Sequence, residues 1–421
     1  MKVIEKKHRR RILVALLGFV LNLGAFHLPH AAELIVPSAS TTQLEPSQSL
    51  PAAEMRQGLF KLGPFDFLPR ISGSATYDDN IRIQSANEQE DVFFTISPGI
   101  SAVAGEPVEG EGKSLSIDYS PSFVLFVDHD ELNTIDHAAR LNAIWGMAKL
   151  TLGLSQGYSL SSGTVVDAGN RVEQRAYTTA LTSKYQMGEK TALQVNARQT
   201  FADYDQVASA PAQLTGYRTW SNDDAFDYQL TTKITTGIGV TLGYTDVDRS
   251  SYQTFEQALF RAGYLFTDKV DFNASVGGEW RQYHAGAPDL FALVFNVVGT
   301  YRPFEGTAFS LEGHRRSQNS VILADQNFIS TGATASLRQR VLEKLTLSAS
   351  GSYDNDDYQA ASTTAVATRS DDYYSIRVGM DLAIKERWSA GVFYQYRKNT
   401  SNDPLFTFRN NQIGFQTSWA F

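Results

Sequence analysis

The last ten residues of the chain, QIGFQTSWAF, alternate between two kinds of side chain. One face of an extended strand would carry Ile413, Phe415, Thr417, Trp419 and Phe421, and the other would carry only small or polar residues, namely Gly414, Gln416, Ser418 and Ala420. Because successive side chains of a strand point to opposite faces, this pattern suits lipid on one side and a wet lumen on the other. It predicts a strand of a transmembrane β-barrel in the bacterial cell outer membrane.

The same period of two recurs along most of the chain. In SIRVGMDLAI, for example, Ile376 and Val378 oppose Arg377 and Gly379. Such segments number eighteen, from 66–79 through 224–234 to 406–421, and an even count returns the C-terminus to the side of the N-terminal lead-in. The predicted fold is all-β: a transmembrane up-and-down antiparallel β-barrel of about 18 strands over residues 66–421, with 16 strands as the alternative.

The connections between these segments alternate in length. The short ones are expected to be periplasmic turns and include Gly146-Met147, Gly188-Glu189, Thr235-Thr236, Glu343-Lys344 and Lys385-Glu386. The long ones are expected to be extracellular and include 161–173, 204–223, 319–326 and 356–370. Of these, 204–223 is the candidate for a loop that folds into the lumen as a constriction.

The start of the chain predicts export. Six basic residues among the first eleven precede an apolar run from Ile12 to Phe26, and small residues follow at Ala31 and Ala32. This order is typical of a secretory signal peptide, which we assign to residues 1–32. Residues 33–65 are rich in Ser, Thr and Pro without periodicity, and are expected to form a flexible periplasmic N-terminal segment.

Composition excludes several classes of protein. The net charge of −8 becomes −13 once the six basic residues and the one acidic residue of the signal peptide are removed, which argues against nucleic acid as a partner. The mean hydropathy is slightly negative, and the several apolar runs of about 20 residues that a helical membrane protein would show are missing. The chain has no cysteine, so it has neither a disulfide framework nor a thiol metal site.

Projecting the alternation inward places charged side chains in the lumen. The basic candidates are Arg140, Arg198, Arg261, Arg281, Arg302, Arg316, Arg338, Arg340 and Arg377, and the acidic ones are Asp118, Asp227, Asp271, Glu279, Glu312 and Asp381. They can be interpreted as a basic stripe that favours anionic solutes or acidic glycans, because guanidinium groups bind carboxylate and phosphate in a fork geometry. Alternatively, they form Arg-carboxylate pairs across neighbouring strands that stabilise the wall.

The sequence predicts no enzyme, no cofactor and no metal site. A serine-histidine-acid set could be drawn only from Ser310, Glu312 and His314, which are simply neighbours on one strand. Calcium binding by the acidic loops is an alternative to ordinary solvation, but the 12-residue spacing of a calcium loop is missing. Most aromatic residues near strand ends are expected in two interfacial girdles, whereas an inward residue such as Phe393 could stack on a sugar.

Motifs near the start of the barrel resemble a known family. The stretch KLGPFDFLPRISGSATYDDNI, followed by FTISPGISAV, is similar to the putative beta-barrel porin 2 type of outer-membrane protein. The resemblance implies such a barrel over nearly all of the mature chain and implies no catalytic residue. It also implies that Phe415, Trp419 and Phe421 form a C-terminal assembly signal for the outer-membrane insertion machinery. Some related barrels are associated with exopolysaccharide secretion.

The predicted function is passive passage of small hydrophilic solutes or saccharides through a porin-like lumen. One alternative is an outer-membrane component of exopolysaccharide export, and another is a structural envelope barrel with an occluded lumen. The expected partners are outer-membrane lipid, lipopolysaccharide and the insertion machinery, with polysaccharide secretion components added under the export alternative. The sequence leaves the oligomeric state open.

Overall fold

The computed structural model describes residues 60–105, 112–205, 214–284, 288–322, 327–359 and 369–421. Nearly all of these residues form antiparallel strands, and the two helices among them are single 3-10 turns, Asp130–Leu132 and Pro404–Phe406. In the described ranges no helix is long and apolar enough to span a membrane. The strands are β1 Phe60–Leu62, β2 Phe65–Asp78, β3 Asp91–Gly105, β4 Gly112–Phe126, β5 Thr134–Gly146, β6 Leu150–Val165, β7 Asn170–Gln186, β8 Thr191–Asp205, β9 Tyr217–Gln229, β10 Ile234–Val247, β11 Gln253–Thr267, β12 Val270–Tyr283, β13 Leu290–Tyr301, β14 Thr307–Asn319, β15 Asn327–Val341, β16 Leu345–Tyr358, β17 Ser370–Lys385, β18 Trp388–Ser401 and β19 Phe408–Ala420.

Strands β2 to β19 form a closed ring in which each strand pairs with its neighbours along the chain. The ring closes where β19 pairs with β2, from Gln412 opposite Asp78 to Ala420 opposite Arg70. Beyond β19, the Phe421 N–H donates to the Pro69 carbonyl (3.0 Å). The predicted barrel is therefore confirmed, with eighteen strands instead of sixteen among the described residues. Closure leaves no sheet edge to pair with another chain.

The end of the predicted flexible segment is ordered. Residues 60–62 form β1, which pairs with residues 65–67 of β2 through a tight turn at Gly63. This short strand occupies the edge of β2 immediately past the last residue of β19, so it continues the closed seam. The predicted signal peptide, 1–32, and residues 33–59 of the lead-in lie outside the described residues.

Side chains alternate between the two faces of the wall as the sequence indicates. The outward residues of β19 are large and exposed, with Ile413 at 58% and Phe415 at 49% of their full exposure. Rings meet on this face near both ends of the strands: Trp388 stacks on Trp419 at one end, and Phe201 contacts Trp220 edge-on at the other. Two aromatic belts at opposite ends are the arrangement expected at two membrane interfaces.

The two ends of the barrel differ in their connections. We call the end that holds the C-terminus the turn end; its connections are short, such as 147–149, 187–190, 342–344 and 386–387. The opposite, loop end has longer connections, such as 79–90 and 402–407. This alternation matches the predicted one.

Three predicted boundaries are wrong. The long connection expected at 161–173 is instead a hairpin, because β6 and β7 continue to a turn of residues 166–169 only. Thr235 and Thr236 belong to β10, and the turn before them is 230–233. Strand β9 begins at Tyr217, seven residues before the predicted segment, because YRTWSND alternates only weakly in hydrophobicity.

Deleting Phe421 should impair assembly of the barrel. The deletion removes the Phe421 N–H bond to Pro69 and the stacking of its ring on Trp419, a loss of about 1–2 kcal/mol at the seam. We expect a smaller folded fraction, measured as the heat-modifiable band on gels after expression in cells. Phe304→Ala is the control, since it removes another exposed ring at the turn end. Equal folded fractions for the deletion and the intact chain would contradict the prediction.

Candidate functional site: the lumen and the hairpin that crosses it

Inward glycines let long charged side chains lie across a neighbouring strand. Gly237 of β10 stands between Asp227 of β9 and Arg261 of β11 in the register, and the Arg261 guanidinium lies 3.6 Å from the Asp227 carboxylate above it. A Cβ at Gly237 would collide with the Asp227 carboxylate. The pair therefore spans two strands because the residue between them has no side chain.

Two further pairs repeat this arrangement. His314 and Asp354 meet across Gly332, with 3.1 Å between the ring Nε2 and a carboxylate oxygen. Gln416 donates to Asp381 (2.8 Å) across Gly391. His314 thus contacts an acid from two strands away, not the Glu312 and Ser310 that share its strand, and the arrangement holds the wall together.

Three of the predicted lumenal arginines form ion pairs with predicted lumenal acids. Arg261 pairs with Asp227 as described, and Arg302 pairs with Asp271 near the turn end. Arg281 lies 2.9 Å from Glu279, and both side chains are at least 95% buried. Because Gln257 also donates to Glu279 (2.7 Å) and Gln253 accepts from Arg281 (3.1 Å), this pair is satisfied within the wall. These residues fit the stabilising interpretation.

Other predicted arginines carry charge into the lumen without such a partner. Among the described residues, no carboxylate lies within 4 Å of these guanidinium groups: Arg140, Arg198, Arg316, Arg340 and Arg377. Arg338 and Glu312 lie on the same inward face, as the register of β14 and β15 shows. Arg140 stands opposite Asp118, whose carboxylate instead accepts from Ser101 and lies 3.7 Å from Arg70. The basic-stripe interpretation stays a prediction for Arg140, Arg198, Arg316, Arg340 and Arg377.

Phe393 does not offer an open ring to a sugar. Its ring is 3% exposed, and the Arg377 guanidinium covers it at 3.9 Å from the ring centroid. Arg377 in turn donates to Gln395 (2.8 Å). The expectation of stacking at this position is therefore wrong, because a cation-π contact already occupies the face of the ring.

The hairpin of β6 and β7 crosses the lumen at the loop end. Strands β7 and β16 are nine positions apart in either direction around the ring of eighteen, so they stand on opposite walls. Asp167, at the tip of the hairpin, nevertheless accepts a hydrogen bond from the Tyr358 hydroxyl of β16 (2.7 Å). It also accepts from the Val321 N–H (2.6 Å) and lies 3.3 Å from the Arg369 guanidinium.

Apolar side chains pack against both sides of the hairpin tip. Val166 packs with Ile83, Tyr373 and Phe408. On the other side, three hairpin residues pack with Leu214 and Val321: Val165, Ala168 and Val172. All of these side chains are buried, so a small core as well as hydrogen bonds holds the tip in place.

The tip depends on a glycine. Gly169 has φ +61°, and a Cβ there would lie 2.9 Å from the Phe406 ring. Five residues earlier in the hairpin, the Thr164 hydroxyl accepts a hydrogen bond from the guanidinium of Arg397 (2.9 Å), and Arg397 is 1% exposed. A larger residue at 169 would be strained in its backbone and would push the tip away from the wall.

The segment that the sequence predicts as a constriction, 204–223, lies partly outside the described residues. Of the predicted segment 204–223, residues 206–213 lie outside the described part of the chain, and both ends belong to strands β8 and β9. Leu214 contributes a contact to the hairpin. The overlooked signal is the apolar content of TVVDAG in a stretch expected to be a solvated loop. Val165, Val166 and Ala168 are residue types that are usually buried, so three of them close together indicate a segment that packs against the protein.

Acidic residues of the first loop are hydrogen-bonded to the wall. Asp78 accepts from Asn410 and Gln412, and Asp79 accepts from both nitrogens of Asn411. Across the described ranges, no group of three or more His, Asp and Glu side chains has a geometry that could hold a metal ion. These two carboxylates therefore fix the exit of the chain from β2 against β19.

Residues 260–420 match the family model of putative beta-barrel porin 2. The predicted resemblance to this family is confirmed for that part of the chain, which runs from within β11 to the end of β19. The motif GPFDFLP at residues 63–69, which carries part of the sequence resemblance, lies outside the matched range. No curated protein sequence matches the chain.

Similar solved structures include three barrels of low sequence identity. The Pseudomonas aeruginosa outer membrane protein opdK is 12% identical, with 85% of this chain and 98% of that chain covered and a TM-score of 0.43. Acinetobacter baumannii OccAB3 is 9% identical, with 85% and 99% covered and a TM-score of 0.46. The siderophore receptor PirA from P. aeruginosa is 11% identical, with 83% and 80% covered and a TM-score of 0.40. At these values no property of these proteins extends to this chain.

Substituting Gly237 should destabilise the barrel more than substituting Gly239. Both glycines lie on the inward face of β10, but a Cβ at Gly237 meets the Asp227 carboxylate and the Phe226 carbonyl, whereas the nearest atom to one at Gly239 is 3.5 Å away. We expect Gly237→Ala to lower the free energy of unfolding by about 1–3 kcal/mol relative to Gly239→Ala, measured by urea titration in lipid vesicles. Equal stability of the two variants would show that the Arg261–Asp227 pair does not need the gap.

Proposed function

We propose that this protein is an outer-membrane, porin-like channel for passive passage of small hydrophilic solutes. The observation that carries the proposal is the closed ring of eighteen strands with an apolar outer face and a charged inner face. A sheet with these two faces is stable where lipid lies outside and water inside. The family match over residues 260–420 supports the same function.

The orientation follows from the two ends. We assign the turn end to the periplasm and the loop end to the exterior, because short turns and long loops are distributed in this way in outer-membrane barrels. The C-terminus and β1 then lie on the periplasmic side, next to the lead-in. The insertion machinery would meet the seam there, at Phe415, Trp419 and Phe421.

The docked hairpin sets the size class of the solute. An eighteen-stranded barrel is wide enough for an aqueous channel, but residues 164–172 cross it at the loop end and are clamped to the far wall. Solutes would therefore pass beside the hairpin. This arrangement suits small molecules better than a polymer, so the exopolysaccharide alternative stays a prediction without a structural contact in its favour. Nothing in the described wall positions reacting groups, and we propose a channel, not an enzyme.

The hairpin also favours a second candidate function, an envelope-structural barrel whose lumen is occluded. The carboxylate at its tip contacts Tyr358, Val321 and Arg369, and two apolar clusters bury the side chains around it, as described above. If those contacts are permanent and the flanking space is filled, the barrel conducts nothing. The two candidates differ in one measurable property, the conductance of the purified protein.

In planar bilayers we expect small, steady conductance steps from the intact protein and larger steps from Asp167→Ala. The substitution removes the acceptor of Tyr358, Val321 and Ser320, a loss of roughly 3 kcal/mol or more, and frees the tip. Asp130→Ala is the matched control, because Asp130 is an exposed aspartate of another loop at the same end.

A second pair of variants tests the same point without changing charge. Gly169→Ala should also enlarge the steps, whereas Gly163→Ala should not, because a Cβ at Gly163 meets nothing within 4 Å. Absence of conductance in the intact protein together with conductance in the hairpin variants would favour the occluded barrel. Absence of conductance in every variant would remove the channel proposal.

A further inference from the structure

A cavity of about 510 Å³ opens at the turn end of the barrel. Four basic residues line it, Lys269, Arg302, Arg338 and Arg340, together with Glu305 and Gly306. They come from three different segments: the turn after β11, the turn 302–306, and the end of β15. The volume is in the range of pockets that take small molecules, roughly 300–1,000 Å³.

The turn 302–306 is held in place by its neighbours. Lys269 donates through its ammonium group to the Pro303 carbonyl (2.7 Å), and the Arg340 N–H donates to the Gly306 carbonyl (2.7 Å). Gly306 has φ +80°, and a Cβ there would lie 2.8 Å from the Arg340 Cβ. These contacts fix the turn 302–306 against the turn after β11 and the end of β15. The basic side chains of the three segments therefore line one space.

Two of the basic groups in this cavity, Lys269 and Arg340, have no carboxylate close by among the described residues. Arg302 pairs with Asp271, and Glu305 is the acid in the lining. Within the described ranges, no carboxylate lies within 4 Å of the Lys269 ammonium or the Arg340 guanidinium. Lys269 and Arg340 thus bring positive charge to the space beside the Arg302–Asp271 pair and Glu305. An oxyanion in the space would gain charge-assisted hydrogen bonds from groups that are already close together.

We propose that this cavity binds the oxyanion groups, carboxylate or phosphate, of small anionic solutes at the periplasmic mouth of the lumen. Guanidinium groups offer planar paired donors that match either group, and the ammonium adds a point charge. The inference rests on the proposed channel function, because the anions bound here would be the class of solute that passes through the lumen. The binding itself does not require the channel to conduct.

Isothermal titration of the full-length folded protein in detergent, at low ionic strength, tests the site with two probes, inorganic phosphate and citrate. We expect saturable binding of at least one probe, and the pair separates phosphate from carboxylate preference. Arg340→Gln should weaken binding roughly tenfold, because it removes a charge-assisted hydrogen bond. Arg387→Gln is the control, since Arg387 is an exposed arginine of another turn at the same end.

A variant with the opposite expected effect guards against misfolding. Glu305→Gln removes the negative charge from the lining and should tighten binding several-fold, while Glu386→Gln, in a different turn, should change nothing. Absence of saturable binding overturns the proposal, as does equal weakening by Arg340→Gln and Arg387→Gln. If the protein binds a probe but does not conduct, the channel proposal fails and the binding site stands. If the protein conducts but binds neither probe, the binding site fails and the channel proposal stands.

Discussion

Pairing of every backbone N–H and C=O group is the constraint on which this structure depends. In hydrocarbon an unpaired backbone group costs several kcal/mol, so a sheet survives there only if its first and last strands meet. Here β2 and β19 meet over nine residue pairs, and Phe421 and β1 extend the seam in the same line. The alternation of side chains then follows, because a closed sheet has one face for lipid and one for the lumen.

Closure creates a second problem, which the glycines solve. An interior wall of long charged side chains would crowd if every position carried one. Gly237, Gly332 and Gly391 leave space over which ion pairs and hydrogen bonds reach between next-nearest strands. Side-chain contacts therefore join strands of the wall that are not hydrogen-bonded to each other through their backbones. At the loop end, Gly169 serves a related purpose by letting the hairpin approach Phe406 on the opposite side.

The sequence predicted the barrel well and its interior poorly, for a physical reason. Strand number, most boundaries and the lipid face follow from local alternation, which acts over a few residues. The partner of Asp167 is 191 residues away at Tyr358, and that of Thr164 is 233 residues away at Arg397. No local pattern encodes such contacts. The role of Gly237 and Gly391, which stand opposite Asp227 and Asp381, likewise depends on the register of three strands, and a local pattern does not contain that register.

Disulfide cross-linking tests the central claim, that the hairpin crosses the lumen, most directly. The chain has no cysteine, so a protein with Ala168→Cys and Val321→Cys contains a single pair, at positions whose side chains pack in one buried cluster and leave the Asp167 contacts intact. Mild oxidation in membranes should join them nearly completely. The control pair is Asp130→Cys with Val321→Cys, which should stay reduced because Asp130 is an exposed residue of another loop at the same end. Equally low yields for both pairs would contradict the account, because the hairpin would then stand away from the opposite wall.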